Sequence, residues 1–468
     1  MLYRTEVKGI QAWILGSGKL KEIAGGSEVV AQLTRVAEER AAHCGGTVES
    51  AAAGGATIRF EHHDQLSAFA CWWPMAVAAR APGLSVIQAW VTGDDRAELY
   101  KLLAEASASQ HADLPEAGPF VQRSGRTGLP AVGRGDDGTV DRATRARVNG
   151  YVEGRDRVTA QLLGEDSPSS FLVDIDDFPE GYLAVVHADA NGIGALFASG
   201  RVPPANARRF SVALQEATDA AAKAAVGTLK VARDRVPARP IVLGGDDFTI
   251  IVPARGALDF TQKYLQTFED ETQARAEALG IGGEALHACA GVAIIKPGWP
   301  FIDAHALAES LCHAAKSTFR ARQESGMAFH RVTTALSDDW DGVRQNELMV
   351  TAGDHVLTRN PYGLGELDSL RSLATCARFM PRGALRGWVD IAKDDTQRAQ
   401  ERWDRMREVL AVSDKERLAA LDAALAPFDV DPTTGWSRSA TGPRSTPILD
   451  ALEIEQVIAR SLPQAVGR

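Results

Sequence analysis

The stretch that most constrains this chain is Pro240-Ile241-Val242-Leu243, Gly244-Gly245-Asp246-Asp247, Phe248-Thr249-Ile250-Ile251-Val252. Two apolar runs flank a turn led by two glycines, and glycine reaches the positive φ that tight hairpin turns need. The segment therefore predicts a β-hairpin in a sheet whose core strands are almost wholly apolar. Its turn carries two adjacent carboxylates to the rim of that sheet. Like charges at that spacing repel unless a cation sits between them. A divalent metal ion, or a pair of them, meets the need, and that points to phosphoryl transfer.

A third carboxylate lies upstream. Tyr182 to His187 (YLAVVH) reads as a buried strand running into Ala188-Asp189-Ala190-Asn191-Gly192-Ile193-Gly194. Asp189 thus ends a strand, followed by two glycines that let backbone amides turn toward an anion. One long helical pattern, 205–235, separates it from the Gly-Gly turn. Strand, helix and hairpin make the first half of a ferredoxin-like βαββαβ unit, in which the first strand lies beside the hairpin. Asp189 is then expected to approach Asp246 and Asp247. Three converging carboxylates suit Mg²⁺ or Mn²⁺, and two such ions would activate an attacking hydroxyl and stabilise a leaving pyrophosphate.

The second half follows in order: a helix over 257–280, a small-residue strand over 286–295 (LHACAGVAII), a helix over 301–320 and a short strand over 327–331. Lys296 at a strand end and Lys316 near a helix end are candidate phosphate partners. A lysine at an element's end is equally well explained as a solvated charge.

HADANGIG, then LGGDD, then AGVAIIKPGWPFIDAHALAESLCHAAK resembles the catalytic palm of the large subunit of type III CRISPR effector complexes, a relative of GGDEF diguanylate cyclases and polymerase palms. The motifs stand in that family's order and spacing. The resemblance implies a nucleotidyltransferase that joins nucleoside triphosphates, ATP favoured, by 3′-hydroxyl attack on an α-phosphate. The product would be a cyclic or linear oligonucleotide messenger of antiviral defence, made after target RNA binds the complex. Carried over residue by residue, Asp189, Asp246 and Asp247 are catalytic. Asp189, Ala190, Asp246 and Asp247 are the metal positions of a two-metal Mg²⁺ or Mn²⁺ site. Asn191, Gly194, Gly244 and Gly245 shape the nucleotide pocket, and Lys296 and Lys316 meet the triphosphate.

The start of the chain resembles the same family's first, non-catalytic palm, through Val7-Lys8-Gly9-Ile10-Gln11-Ala12-Trp13-Ile14 and Lys19 to Ser27 (KLKEIAGGS). A second hairpin, 47–60, turns at Gly54-Gly55, and Ala56 and Thr57 are read at the places of Asp246 and Asp247. Gly83 to Val91 reads as the returning strand. The chain thus presents two palm-like units, one with carboxylates and one without. The fold class expected is α+β, two ferredoxin-like palm domains (βαββαβ) followed by a helical C-terminal domain. The divisions are 1–100 for the non-catalytic palm, 101–180 for an Arg/Gly-rich linker region, 181–332 for the catalytic palm and 333–468 for the helical domain.

Length and charge fit this scheme. A chain of 468 residues is too long for one core. A net charge of −10 argues against a generally basic nucleic-acid surface, though a local groove is compatible with it. Five scattered cysteines without a C-x-x-C pair indicate neither a disulfide framework nor a zinc site. No signal sequence or membrane span is read: the apolar stretch 67–79 is broken by Pro74 and is too short. A soluble, cytoplasmic protein is expected.

Two departures from the family matter. Many relatives carry an HD-type nuclease ahead of the first palm, and none is expected here, since palm-like sequence begins within the first residues. His62-His63-Asp64 reads as polar residues opening a helix. Arg123 to Ala131 (RSGRTGLPA) resembles the start of a family zinc knuckle without its cysteines. The segment 121–158 nevertheless holds eight arginines, Arg123, Arg126, Arg134, Arg142, Arg145, Arg147, Arg155 and Arg157, among seven glycines. A solvated, partly mobile linker is the favoured reading. An arm gripping phosphates of RNA or of nucleotide product is the other.

Three decoys are set aside. Gly16-Ser17-Gly18-Lys19 lacks P-loop spacing. Gly135-Asp136-Asp137-Gly138 reads as a turn without flanking strands. Asp174-Ile175-Asp176-Asp177-Phe178 is interrupted at once by Pro179 and Gly181, so Asp189 ranks ahead of it. Beyond 332, helical spacing over 367–379, 382–392, 395–412 and 447–462 suggests a packing and partner-docking bundle with Trp388 and Trp403 buried. Effector-complex subunits, RNA or self-association are the partners considered. The competing functions are a catalytically silent nucleotide-binding structural subunit of a ribonucleoprotein complex, a GGDEF-like dinucleotide cyclase and a template-directed polymerase. The negative charge weighs against the last.

Overall fold

Two sheets with one strand order organise the chain. The computed structural model describes residues 1–460 apart from 53, 110–119, 136, 137, 180, 204, 205, 283, 334–338, 351–353, 382 and 439–441. The first sheet comes from β1 (Leu2–Lys8), α1 (Leu20–His43), β2 (Thr47–Ala52), β3 (Gly55–Arg59), α2 (His63–Arg80) and β4 (Ser85–Val91). Its order is β2-β3-β1-β4, the ferredoxin-like βαββαβ arrangement. Next come α3 (Arg96–Ala108), the hairpin β5 (Ala131–Gly135) and β6 (Gly138–Asp141), and α4 (Arg142–Leu163).

The second palm repeats the plan with β7 (Leu183–Ala190), α5 (Ala207–Val226), β8 (Arg239–Gly244), β9 (Asp247–Pro253), α6 (Ala257–Ala274) and β10 (Ala288–Ile295). Its order, β8-β9-β7-β10, matches the first sheet strand for strand. α7 (Phe301–Phe319) then returns the chain to β11 (Gly326–Arg331), parallel to β10, and the two-residue β12 (Tyr362–Gly363) closes that edge. α8 (Leu367–Phe379), α9 (Ala384–Ala392), α10 (Thr396–Ser413), α11 (Lys415–Leu425) and α12 (Ile448–Arg460) form the C-terminal helical part. Trp388 and Trp403 are buried there with ring centroids 5.1 Å apart. No helix of the described residues is long and apolar enough to cross a membrane.

β7 and β10 are buried on both faces because helices cover both. On one face Ala184, Val186 and Ala188 pack with Phe210 of α5 and Phe260 of α6. On the other, Val185, Ile251 and Ala293 join Leu307 of α7 and Ile23 and Leu33 of α1 in one buried cluster. The two palms therefore share a core.

Three expectations are corrected. The helix read over 205–235 ends at Val226 with Gly227 as its cap, and Arg233 and Asp234 take positive φ, which a helix does not continue through. Strands β5 and β6 do flank the Gly135…Gly138 turn, closing on the pair Gly135↔Gly138; Asp136 and Asp137 lie outside the described residues. In the first palm the hairpin closes on Ala52↔Gly55, as the second closes on Gly244↔Asp247. Gly54 and Gly55, not Ala56 and Thr57, thus stand where Asp246 and Asp247 are. Glu6, opposite Gly55, holds the place of Asp189, and Arg4 and Lys8 bind it.

The Arg-rich segment is also more than a linker. Its 142–163 part is a helix lying along α1, at a separation only glycine allows: a Cβ on Gly25 would fall 1.8 Å from the Arg147 carbonyl oxygen, and one on Gly150 would fall 2.5 Å from that of Gly25. Arg147 is buried, donating to the Trp13 carbonyl at 2.6 Å. Arg126 pairs with Glu22 at 2.7 Å and Arg157 with Glu28 at 2.6 Å, both acids on α1. These arginines answer buried carboxylates of the first palm. Arg126→Ala is expected to destabilise the chain by about 2 kcal/mol, read by urea unfolding, because it strands the Glu22 carboxylate. Exposure of 31% at Arg126 keeps the figure below that for a fully buried pair.

Candidate active site

The acid turn is a two-residue hairpin with Gly245 at φ 65°, the conformation its sequence required. The β9 and β7 register, Phe248↔Ala188 and Thr249↔His187, sets Asp247 beside Asp189 one step further on. β10 flanks Asp189 on the other side through Cys289↔Asp189. All three carboxylates therefore reach one sheet rim. Burial, then the Asp189 charge, pushes the Asp246 carboxyl up to about 7. Asp247 also rises to about 7, from burial and the charges of Asp189 and Glu309, with Lys316 opposing. Oδ1 of Asp247 is buried without a hydrogen-bond partner, although 48% of its side chain is exposed.

Helix α7 brings the rest of the charge. Lys316 donates to Asp189 Oδ2, and Glu309, two turns earlier on the same face, adds a fourth acid to the surroundings of Asp247. Gln11, in the short helix Ile10–Leu15 of the first palm, donates to both Glu309 oxygens at 3.0 Å. The first palm thus touches the site's acidic wall. His187 is buried, its Nδ1 3.0 Å from Thr249 Oγ1 and 3.5 Å from Asp247 Oδ1. Burial lowers its pKa, so it stands neutral beside the acids at neutral pH.

Neighbouring backbone is open to a ligand. A Cβ added to Gly194, Gly244 or Gly245 would meet nothing within 4 Å. Gln215 of α5 accepts the Gly245 N–H, fixing the turn. Asn191 donates to Cys289 Sγ at 3.3 Å and leaves its own Oδ1 buried and unpartnered. It lines a cavity of about 180 Å³ with Gly192, Arg201, His287 and Arg320. Ala190 lies buried in β7 opposite Ala288.

Lys296 is not part of this site. Cys289 faces Asp189, and Lys296 follows Ile295, which faces Leu183 at the far end of β7. Seven residues of strand separate the two ends, about 23 Å at strand rise. A strand-end lysine is placed by strand direction, and β10 runs antiparallel to β7. Gln11, Gln215, Glu309 and His187 escaped sequence reasoning as site residues. The Gln11–Glu309 contact spans 298 positions, and nothing local announces it. Among the described residues, no group of three or more His, Cys, Asp or Glu side chains forms a ready-made metal cage.

The two βαββαβ units define a palm-domain fold, with the three carboxylates in the second copy. Residues 182–323 match the family model described as Cas10/Cmr2, second palm domain. That part of the chain is similar to Cas10. The chain's fold is similar to a Csm1–Csm4 cassette in complex with cA3, at TM-score 0.58 and 12% identity, covering 99% of this chain and 69% of that one. The cassette in complex with cA4 gives 0.56 and 13%, covering 99% and 70%. Csm1 in T.onnurineus gives 0.51 and 14%, covering 99% and 69%. At such identities the likeness concerns the fold. None of the curated proteins compared matches the chain.

Proposed function

We propose that the chain is a metal-dependent nucleotidyltransferase that makes a cyclic oligonucleotide messenger from ATP as part of a type III CRISPR-like effector complex. The single observation that carries the reading is the convergence of Asp189, Asp246 and Asp247 on one rim, with a buried Asp247 oxygen that has no hydrogen-bond partner among the described residues. Structures of the same fold in complex with cA3 and cA4 support the product class. Csm4 beside Csm1 in those cassettes supports an effector subunit as partner, and RNA as activator is part of the proposal.

The donor set fits Mg²⁺ or Mn²⁺: hard carboxylate oxygens, too close to carry their charges unaided. Asp189, Asp246 and Asp247 would hold the ions, with Ala190 adjoining in β7. When bound, they would supply Lewis-acid charge that lowers the pKa of the 3′-hydroxyl and stabilises the leaving pyrophosphate. Lys316, which donates to Asp189, would be able to meet the triphosphate with a cation balancing Asp189 in its place. The Gly244–Gly245 backbone leaves room for the nucleotide.

Cation affinity is expected to depend on pH. Asp246 and Asp247 each titrate near about 7, and a cation needs both ionised. Affinity for Mn²⁺ should fall about tenfold or more from pH 8 to pH 6, measured by calorimetry; a flat profile would place the ion elsewhere. The activity test is incubation with each nucleoside triphosphate and Mg²⁺ or Mn²⁺, with and without RNA, and mass spectrometry of the products. A cyclic oligoadenylate is the expected product. Nucleotide binding without product under any condition, Csm4-type partner included, would favour the silent-subunit reading.

A further inference from the structure

A second ligand-sized cavity, of about 360 Å³, has none of Asp189, Asp246 or Asp247 in its lining. Its walls come from α1 of the first palm, from α4, from residues 170–173 and from the edge strand β8. Arg239, first residue of that strand, is one of the lining residues and is only 3% exposed. One guanidinium nitrogen donates to the carbonyls of Leu172 and Val173, and the group lies 5.3 Å over the Tyr151 ring. Nε and the other terminal nitrogen are buried and have no hydrogen-bond partner among the described residues.

Among the described residues, no carboxylate forms an ion pair with Arg239. The two acids of the lining, Glu28 and Asp156, are already paired, Glu28 with Arg35 and Arg157 and Asp156 with Arg155. A buried cation without a counter-charge is strongly disfavoured, and guanidinium forks match phosphate oxygens. Two further arginines, Arg155 and Arg235, stand exposed along the same lining. Leu172, Ile241 and Leu243 give the cavity an apolar side. Its volume falls in the range that holds small organic ligands, about 300–1,000 Å³. A bare tetrahedral anion would leave most of it empty.

We propose that this cavity binds a phosphate-bearing organic molecule of nucleotide size, with Arg239 as its anion anchor. Such a ligand joins the first palm and α4 to the strand that runs directly into Gly244 and the acid turn. None of Asp189, Asp246 and Asp247 lines the site, and it needs no metal.

The test is equilibrium binding of AMP, ribose 5-phosphate and inorganic phosphate to the full chain in EDTA, with Asp246→Asn/Asp247→Asn as a parallel background. One saturable AMP or ribose 5-phosphate site is expected, unchanged in that background. Arg239→Gln should weaken it about tenfold or more, and Arg155→Ala/Arg235→Ala, at exposed positions, about threefold or more. No saturable binding, binding indifferent to these variants, or equal affinity for inorganic phosphate overturns the proposal. Should Arg239→Gln fail to fold, the exposed pair of variants decides alone.

Discussion

Replacing Asp246 and Asp247 together by asparagine is expected to reduce nucleotidyl transfer by about a thousandfold or more, the order lost when charge-stabilising groups are removed. The same variant is expected to keep its fold and to gain stability at pH 8. The sign follows from the raised carboxyls. Both have folded pKa values near about 7 against an ordinary value of 3.8. Their favourable contribution is complete below the ordinary value and is lost as pH rises through about 7. Above that, the wild-type rim carries repelling charges that the amides lack. Thermal unfolding at pH 5 and pH 8, with and without Mn²⁺, separates the cases. Wild type should lose most of its disadvantage at pH 5 and, at pH 8, on adding Mn²⁺; the variant should ignore the ion. Unfolding of the variant would make the acids structural and remove the basis for the proposed site. Because 48% of the Asp247 side chain is exposed, water screens part of the effect, so the direction is the test.

The acid site was legible because it is local. The apolar runs and the Gly-Gly turn fix the hairpin, the pattern 182–187 fixes β7, and the βαββαβ order brings Asp189 beside Asp247. What failed was read from residue type without strand direction or partners. Lys296 ends the right strand at the wrong end. The arginines of 121–158 looked solvent-bound because their partners, Glu22 and Glu28, lie more than a hundred residues away on α1. Ala56 and Thr57 were matched to the acids by string position, whereas hairpin closure counts from the paired residues. Helix α5 overran because propensity continues past Val226 while backbone geometry does not. Arg239 gave no signal at all: an arginine before a proline at a strand start is ordinary, and only its burial without an acid marks it.

Gly291→Val is expected to be the most damaging single substitution in the second palm. Gly291 sits mid-strand in β10, opposite His187, and a Cβ there would lie 1.8 Å from the Ala308 carbonyl oxygen and 2.6 Å from the Cys312 nitrogen. Those are backbone atoms of α7, so no side-chain rotation relieves the clash. The run LHACAGVAII is small-residue because helix and strand backbones nearly touch along it. That contact also sets the height of Glu309 and Lys316 over the acid rim, one residue and four residues beyond the clashing atoms. Forcing the helix outward should destabilise the chain by about 3 kcal/mol and lift Lys316 from Asp189. Urea unfolding reads the first effect. The second appears in any folded fraction as loss of nucleotide turnover beyond the loss of folded protein. Gly291→Ala should show both in milder form, since one methyl meets the same atoms. A valine variant of wild-type stability would mean that α7 can retreat freely, and that the placement of Lys316 does not depend on this contact.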